Sequence, residues 1–134
     1  MTFLIFEIRG EPRPKGRPQF ARRGKFVTSY TPAATRDAEA DVRSQIIAQL
    51  KPGFVPLQGA LNISAVFRRL KPKSASKKVK YPTTRPDLDN YMKLLLDAMN
   101  QVVFVDDGQI VVLLVSKVFD ETPGITVTVM NMEG

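Results

Sequence analysis

Several short segments of the chain alternate between apolar and polar side chains, and each of them predicts a β-strand. The apolar members of one such segment are Leu61, Ile63, Ala65 and Phe67. Residues 125–130 alternate in the same way after a Pro123-Gly124 turn, and residues 3–9 predict a first or edge strand that Gly10 ends. Alternation with a period of two is typical of strands that bury one face, so we expect these segments to form a sheet.

The first of two predicted helices follows Thr31 and Pro32, which suit an N-cap and a first-turn position. Its apolar residues recur every four positions, at Ala38, Val42, Ile46 and Leu50. The pattern predicts an amphipathic helix that runs to about Leu50, where Lys51-Pro52-Gly53 stops it.

The second predicted helix begins at residue 87 or 88 and carries two stripes. The apolar stripe consists of Leu88, Met92, Leu95, Leu96 and Met99. A polar stripe of Asp89, Lys93 and Asp97 runs alongside it. Tyr91 and Leu94 lie off the apolar stripe, which makes them candidates for contact with a second copy of the chain.

Two apolar runs surround the sequence Asp106-Asp107-Gly108. The runs are residues 102–105 and 110–115, and Asp-Gly is a favoured pair in tight turns. The simplest interpretation is a β-hairpin that turns at this point. Strands and helices together predict a single α+β domain over residues 1–134, since neither a repeat nor a linker interrupts them.

Residue composition narrows the chemistry that this domain can perform. The chain has no cysteine and no histidine, which excludes thiol chemistry, disulfides, imidazole bases and the usual zinc ligands. A catalytic metal would therefore need carboxylate ligands. The apolar run at the N-terminus is too short for a signal peptide or a membrane span, so we expect a cytoplasmic protein without a membrane partner.

Positive charge is concentrated in two blocks of a chain whose formal net charge is +7. Residues 9–25 and 68–85 together hold 15 of the 20 lysines and arginines, and both blocks are rich in loop-forming residues. Either block alone could be a solvated loop, but two blocks favour a nucleic-acid partner. The residues assigned to DNA contact are Arg13, Lys15, Arg17, Arg69, Lys71, Lys73, Lys77, Lys78 and Arg85.

Four aspartates stand close together within this basic chain. Asp87 and Asp89 would point about 160° apart on a regular helix, so they converge only if Asp87 lies outside the helix. Pro86 and the N-cap preference of aspartate favour that arrangement. If the chain folds back beside the helix, Asp106 and Asp107 join them, and an all-oxygen cluster suits Mg²⁺ or Mn²⁺.

Each of these residues also has a purely structural explanation. Asp87 could be a helix cap, and Asp106 and Asp107 could be turn formers. Lys93 could contact whatever the metal holds, or it could pair with Asp89 or Asp97 across one helical turn. Spacing alone does not separate these alternatives.

The ordered series Asp87-Leu88-Asp89-Asn90, Lys93, Asp97-Ala98 and Asp106-Asp107-x-Gln109-Ile110 resembles the RusA family of Holliday junction resolvases. The stretch from Gly10 to Pro18 and the later Tyr30-Thr31-Pro32 are also similar to that family. The resemblance thus covers most of the chain. Two departures are Gly108, where a serine is expected, and Pro86, where a basic residue is expected; the second shifts the expected DNA contact toward Arg85.

The resemblance implies a RusA-like fold with a mixed sheet and two main helices. It also implies a Mg²⁺-dependent endonuclease, with Mn²⁺ as a substitute, that cuts four-way DNA junctions as a homodimer in recombination and repair. Asp87, Asp89 and Asp107 correspond to the metal ligands and Lys93 to the catalytic lysine, while Asp106 and Asn90 are possible supporting residues.

Two other classes of protein are compatible with the composition. A non-catalytic nucleic-acid-binding protein would use the carboxylates only as caps and turns. An assembly protein would use the basic loops to hold an acidic partner. Neither requires the ordered aspartate and lysine series, so we expect the nuclease.

Overall fold

The computed structural model describes residues 2–133, which form six strands and two helices. The strands are β1 (Phe3–Arg9), β2 (Gln19–Arg23), β3 (Phe26–Tyr30), β4 (Leu61–Arg69), β5 (Ile110–Phe119) and β6 (Gly124–Asn131). The helices are α1 (Ala33–Gln49) and α2 (Leu88–Met99). Over the described residues, neither helix is long and apolar enough to cross a membrane.

The main sheet has the strand order β1-β6-β4-β5. β6 is antiparallel to both of its neighbours, whereas β4 and β5 are parallel, so the sheet is mixed. Parallel strands cannot be joined by a tight turn and need a long crossover. The segment that contains α2 makes this crossover, and β1 and β5 are left as the two edges.

One face of the sheet packs against the helices and forms the core. Alternate residues of β4 point into it, as the sequence predicts, and Ile63, Ala65 and Phe67 are all buried. The ring of Phe67 stacks on Tyr91 of α2, with 5.1 Å between ring centroids and 9° between planes. The α+β fold with a mixed sheet and two main helices is therefore confirmed.

Helix α2 buries a wider face than its apolar stripe predicts. Tyr91 and Leu94 are both buried in the core of a single chain, so their expected role in contact with a second copy is wrong. The reason is that α2 lies against both the sheet and α1, whose Arg43 donates hydrogen bonds to the carbonyl oxygens of Asp97 and Ala98. Because α2 packs against both the sheet and α1, it buries more than its single apolar stripe.

The strands predicted at residues 3–9, 61–68 and 125–130 and both helices are confirmed, but the predicted hairpin at Asp106-Asp107-Gly108 is wrong. Val103 and Phe104 are fully buried at the end of α2, where the N–H of Val103 donates to Met99 O at 2.9 Å. These apolar residues close the core instead of forming a strand. β5 then pairs in parallel with β4, because β4 offers a free edge.

The first basic block, which is predicted to be a loop, also contains regular secondary structure. β2 and β3 pair with each other to form a separate two-stranded sheet. Their apolar positions are interrupted by Arg22 and Arg23, so no clean alternation marks them. Helix α1 has its N-cap at Pro32, one residue later than expected.

Replacing Leu94 by alanine should lower the free energy of unfolding by about 2–5 kcal/mol, because it leaves a cavity in a close-packed core. Urea unfolding at a fixed protein concentration measures this change. Ile47→Ala is the matched control, since Ile47 is exposed on α1, and it should cost much less. Equal losses in the two variants would contradict the placement of Leu94.

Candidate functional site

Asp87 and Asp89 lie together at the start of α2 and are both exposed to solvent. Asp87 is the N-cap residue in an extended conformation, yet its side chain makes no capping hydrogen bond. Among the residues that the structure describes, the Oδ1 atom of Asp89 accepts only the N–H of Asn90, at 3.0 Å. Capping therefore does not account for Asp87, and both carboxylates keep oxygen atoms that can bind a ligand.

Two cations hold the segment that leads into this pair. The Nζ atom of Lys117 on β5 donates to the carbonyl oxygens of Thr84 and Pro86, at 3.0 Å each. Nη1 of Arg69 also donates to the Thr84 oxygen, at 3.2 Å. These contacts fix the chain immediately before Asp87. No sequence pattern indicates this role for Lys117, because a single lysine in an apolar strand belongs to no motif.

Lys93 lies one turn beyond Asp89, and 65% of its side chain is exposed. Its ion pair with Asp97 has an N···O distance of 4.0 Å, whereas Lys15 approaches the same carboxylate oxygen to 3.0 Å. Within the described residues no ion pair joins Lys93 to Asp89. The structural explanation for Lys93 is thus weak, and its ammonium group is available to an external anion.

The structure assigns different roles to Asp106 and Asp107. The side chain of Asp106 accepts the N–H of Gly108 at 2.9 Å, and the side chain of Gln109 accepts the N–H of Asp106 at 2.8 Å. This reciprocal capping begins a short 3-10 turn over Asp107–Gln109. Asp107 is exposed, and its side chain makes no hydrogen bond or ion pair to any residue that the structure describes. Asp106 is therefore structural, whereas Asp107 is free to bind a ligand.

Glycine at position 108 suits this turn. A Cβ atom there would lie 2.7 Å from Oδ2 of Asp106, which is closer than ordinary contact. Serine at this position would force the Asp106 carboxylate to move. Glycine in place of the expected serine is therefore compatible with the capping role of Asp106.

Asp107 and the Asp87–Asp89 pair lie at opposite ends of α2. Nε2 of Gln109 donates to the carbonyl oxygens of Leu57 and Gly59 at 3.0 and 2.9 Å, near the C-terminal end of the helix. A helix of this length spans about 18 Å. Across residues 2–133, no group of three or more acidic side chains lies close enough to hold a metal ion. The expected convergence does not occur within one chain, because β5 starts where α2 ends.

Lys15 bonds within the chain instead of facing outward. Its Nζ lies 3.0 Å from both Glu39 on α1 and Asp97 on α2, and only 20% of its side chain is exposed. Burial lowers the pKa of Lys15, but its hydrogen bonds and charge attraction to Glu39 and Asp97 outweigh burial and raise the pKa above its ordinary value. The contacts of Lys15 thus favour a structural role over the DNA contact predicted for it.

The other predicted DNA contacts divide into tethered and free side chains. Arg69 is held by Thr84, and Nζ of Lys71 lies 6.0 Å from the ring centroid of Phe119. Six others are exposed: Arg13, Arg17, Lys73, Lys77, Lys78 and Arg85. These six side chains can approach a polyanion without breaking a side-chain contact within the described residues.

Comparison with known proteins gives two findings. The family model described as "Endodeoxyribonuclease RusA" matches residues 9–130. The uncharacterized protein YqaN of Bacillus subtilis (strain 168) is 32% identical to the chain over 142 aligned residues. That alignment covers 98% of this chain and 99% of YqaN.

Replacing Lys15 by methionine should lower the free energy of unfolding by about 1–2 kcal/mol at neutral pH, since it removes charge-assisted hydrogen bonds to two carboxylates. The folded-state pKa of Lys15 is raised, so this contribution is complete below about pH 10 and is lost as the pH rises through the folded pKa. Urea unfolding of wild type and variant from pH 7 to pH 11 measures the difference. Lys51→Met, at an exposed lysine, is the control; a difference that grows with pH would contradict the assignment.

Proposed function

The chain belongs to the RusA endodeoxyribonuclease family, and from that premise we propose that it is a Mg²⁺-dependent, structure-selective endonuclease that resolves four-way DNA junctions. The observation that carries this proposal is the contrast among the aspartates. The fold uses Asp106 for its own hydrogen bonds and leaves Asp87, Asp89 and Asp107 exposed. A capping role therefore accounts for Asp106 but not for Asp87, whose side chain makes no capping hydrogen bond.

The donor chemistry of these three residues fits a hard divalent cation. Mg²⁺ and Mn²⁺ prefer carboxylate oxygens, and the chain has neither histidine nor cysteine to favour a softer metal. We propose that Asp87, Asp89 and Asp107 are the metal ligands. One chain alone brings together only the first two, so the complete set requires another source for the third.

A second copy of the chain can supply it, because β5 is an exposed apolar edge. Val111, Val112, Leu113 and Leu114 are consecutive, and each is exposed to solvent. A long apolar edge strand with unpaired backbone groups is a template for pairing with another chain. An isologous dimer that joins two β5 strands antiparallel would extend the sheet across the interface.

Such a dimer places the carboxylates together. When two identical strands pair antiparallel about their middle, the start of each lies beside the end of the other. Asp107 stands just before the start of β5, and Lys117, near its end, holds the segment before Asp87. Asp107 of each chain therefore approaches the partner's Asp87 and Asp89. The dimer would contain two equivalent sites, which suits paired nicks in a junction with two-fold symmetry.

The remaining residues supply binding and charge stabilisation. Bound Mg²⁺ would supply Lewis acidity, which favours attack of water on a phosphodiester. Lys93 would stabilise the negative charge that develops on the phosphate, since its ammonium group is exposed beside Asp89 and only loosely paired. The exposed basic residues would contact the DNA backbone independently of sequence, so binding should weaken steeply with salt. Asn90, exposed beside Asp89, would support the site.

Asp87→Asn should abolish cleavage and leave junction binding intact or tighter, because it removes a metal ligand and a negative charge while keeping the shape of the side chain. Lys93→Ala should lower turnover about 100-fold or more with little loss of affinity. Cleavage of an end-labelled four-way junction, beside a matched linear duplex and with Mg²⁺ or EDTA, measures both effects.

The matched control for these variants is Asp106→Asn, which removes a neighbouring negative charge but keeps an oxygen that can accept the N–H of Gly108, so both stability and cleavage should stay close to those of the wild type. Retained cleavage by Asp87→Asn would remove that residue from the metal site. Binding without a cut under any divalent metal would indicate a non-catalytic nucleic-acid-binding protein.

Mixed dimers test whether each site is shared between two chains. Asp87→Asn and Asp107→Asn homodimers should both be inactive. A mixed dimer of the two variants contains one site with all three aspartates and one site with two substitutions. It should therefore nick one strand of the junction, although neither parent variant cuts.

The mixed dimer is made by unfolding and refolding the two variants together, and mass spectrometry of the intact complex confirms that it forms. Recovery of single nicks, without paired nicks, is the expected result. A mixed dimer that forms but does not cut would place each site within a single chain.

A further inference from the structure

The β2–β3 hairpin is the one part of the described chain that forms a sheet of its own. Its two five-residue strands pair only with each other and are joined by Gly24 and Lys25. A two-stranded hairpin is marginally stable in water unless another surface covers it. The hairpin therefore needs an explanation that the catalytic residues do not provide.

Large apolar side chains of the hairpin point into solvent. Phe20 is 72% exposed and Phe26 is 75% exposed, and Val27 and Tyr30 are also exposed. Because Arg22 pairs with Val27 and Arg23 pairs with Phe26, the register places Phe20 and Val27 on one face and Phe26 and Tyr30 on the other. Each face of the ribbon thus presents an aromatic ring.

The sequence segment that contains these rings carries positive charge alone. Residues 12–36 contain seven lysines and arginines and no acidic residue. A surface that combines aromatic rings with Lys and Arg is typical of proteins that bind nucleic acid with unstacked bases. An anionic membrane would also attract such a surface, but a flat bilayer can cover one face of the ribbon only. A strand or base inserted beside the ribbon can use either face.

The base of the hairpin is fixed to the helix that carries Asp87 and Asp89. The N–H of Lys15 donates to Asn90 O at 2.9 Å, and the Lys15 ammonium group contacts Asp97. The N–H of Gly16 donates to Oγ1 of Thr35 on α1 at 3.1 Å. The hairpin therefore projects from a defined position beside the candidate metal ligands.

We propose that the β2–β3 hairpin recognises the branch point of DNA by stacking Phe20 or Phe26 on the base pairs that lose a stacking neighbour there. This inference deepens the proposed function and rests on it for the identity of the substrate. Stacking would select branched DNA over duplex, because duplex bases are already stacked on one another. The arginines of the hairpin would hold the flanking phosphates.

The experiment measures binding without cleavage, in EDTA, to a four-way junction that carries 2-aminopurine next to the branch point. Because 2-aminopurine fluorescence reports base stacking, wild-type protein should change the fluorescence there, but not when the same base lies within a duplex arm. Phe20→Leu and Phe26→Leu keep apolar side chains that favour strands but lack an aromatic face. At least one of them should weaken junction binding about fivefold or more and leave duplex binding unchanged.

Two further variants control for other effects. Phe26→Tyr, like Phe20→Tyr, keeps a ring and should retain junction binding and the change in fluorescence. Phe3→Leu changes an exposed aromatic residue on β1, away from the hairpin, and should have no effect. Circular dichroism and analytical ultracentrifugation of each variant check the fold and the oligomeric state.

Four outcomes would overturn the inference. Unchanged junction binding in both Leu variants would exclude stacking, and an equal loss for junction and duplex would indicate a general structural effect. Dissociation of a dimer would assign the hairpin to contact with a second copy. Phe-dependent binding to phosphatidylserine vesicles without a DNA effect would assign it to a membrane. If junctions are bound through Phe20 or Phe26 but are never cut with Mg²⁺, the proposed nuclease fails and this inference stands.

Discussion

The parallel pairing of β4 with β5 is the constraint on which the rest of the structure depends. Parallel neighbours oblige the chain to return along the sheet before the second strand begins, and α2 makes this return. The two ends of α2 therefore lie at opposite ends of the sheet. Asp87 and Asp89 lie at one end, and Asp107 follows the other. Among the described residues, the three carboxylates do not form a group that could hold a metal ion, and this is why a second copy enters the proposed mechanism.

The core and the site share α2 without conflict. Tyr91, Leu94 and Leu95 anchor the helix between the sheet and α1, so its position is rigid. The first turn extends beyond this packing and keeps Asp87 and Asp89 in solvent. Lys117 and Arg69 then fix the entering chain through the carbonyl oxygen of Thr84. A rigid helix with a held entry can present carboxylates in a constant geometry, which metal binding requires.

Positive charge in this protein has two physical uses that composition does not distinguish. Lys15 is half-buried between Glu39 and Asp97 and joins the N-terminal loop to both helices. Arg13, Arg17, Lys73, Lys77 and Lys78 remain exposed, and the β2–β3 hairpin adds aromatic rings to the same basic part of the chain. Contacts of the exposed cations with DNA phosphates would give affinity for any DNA. The aromatic rings of the hairpin, and its position beside the candidate metal ligands, would give preference for a branch.

The sequence by itself determined the α+β class, most strands and both helices, because burial on one face imposes a period of two or 3.6 that local residues reveal. It also identified the ordered aspartates and Lys93, since their spacing is local. Only the tertiary structure decided which of these residues are used by the fold: Asp106 caps a turn, Tyr91 and Leu94 enter the core, and Lys15 forms internal ion pairs. It also decided the parallel register of β5, the hairpin in the first basic block and the separation of Asp107 from Asp87. These depend on contacts between residues that are far apart in the chain, which no local pattern encodes.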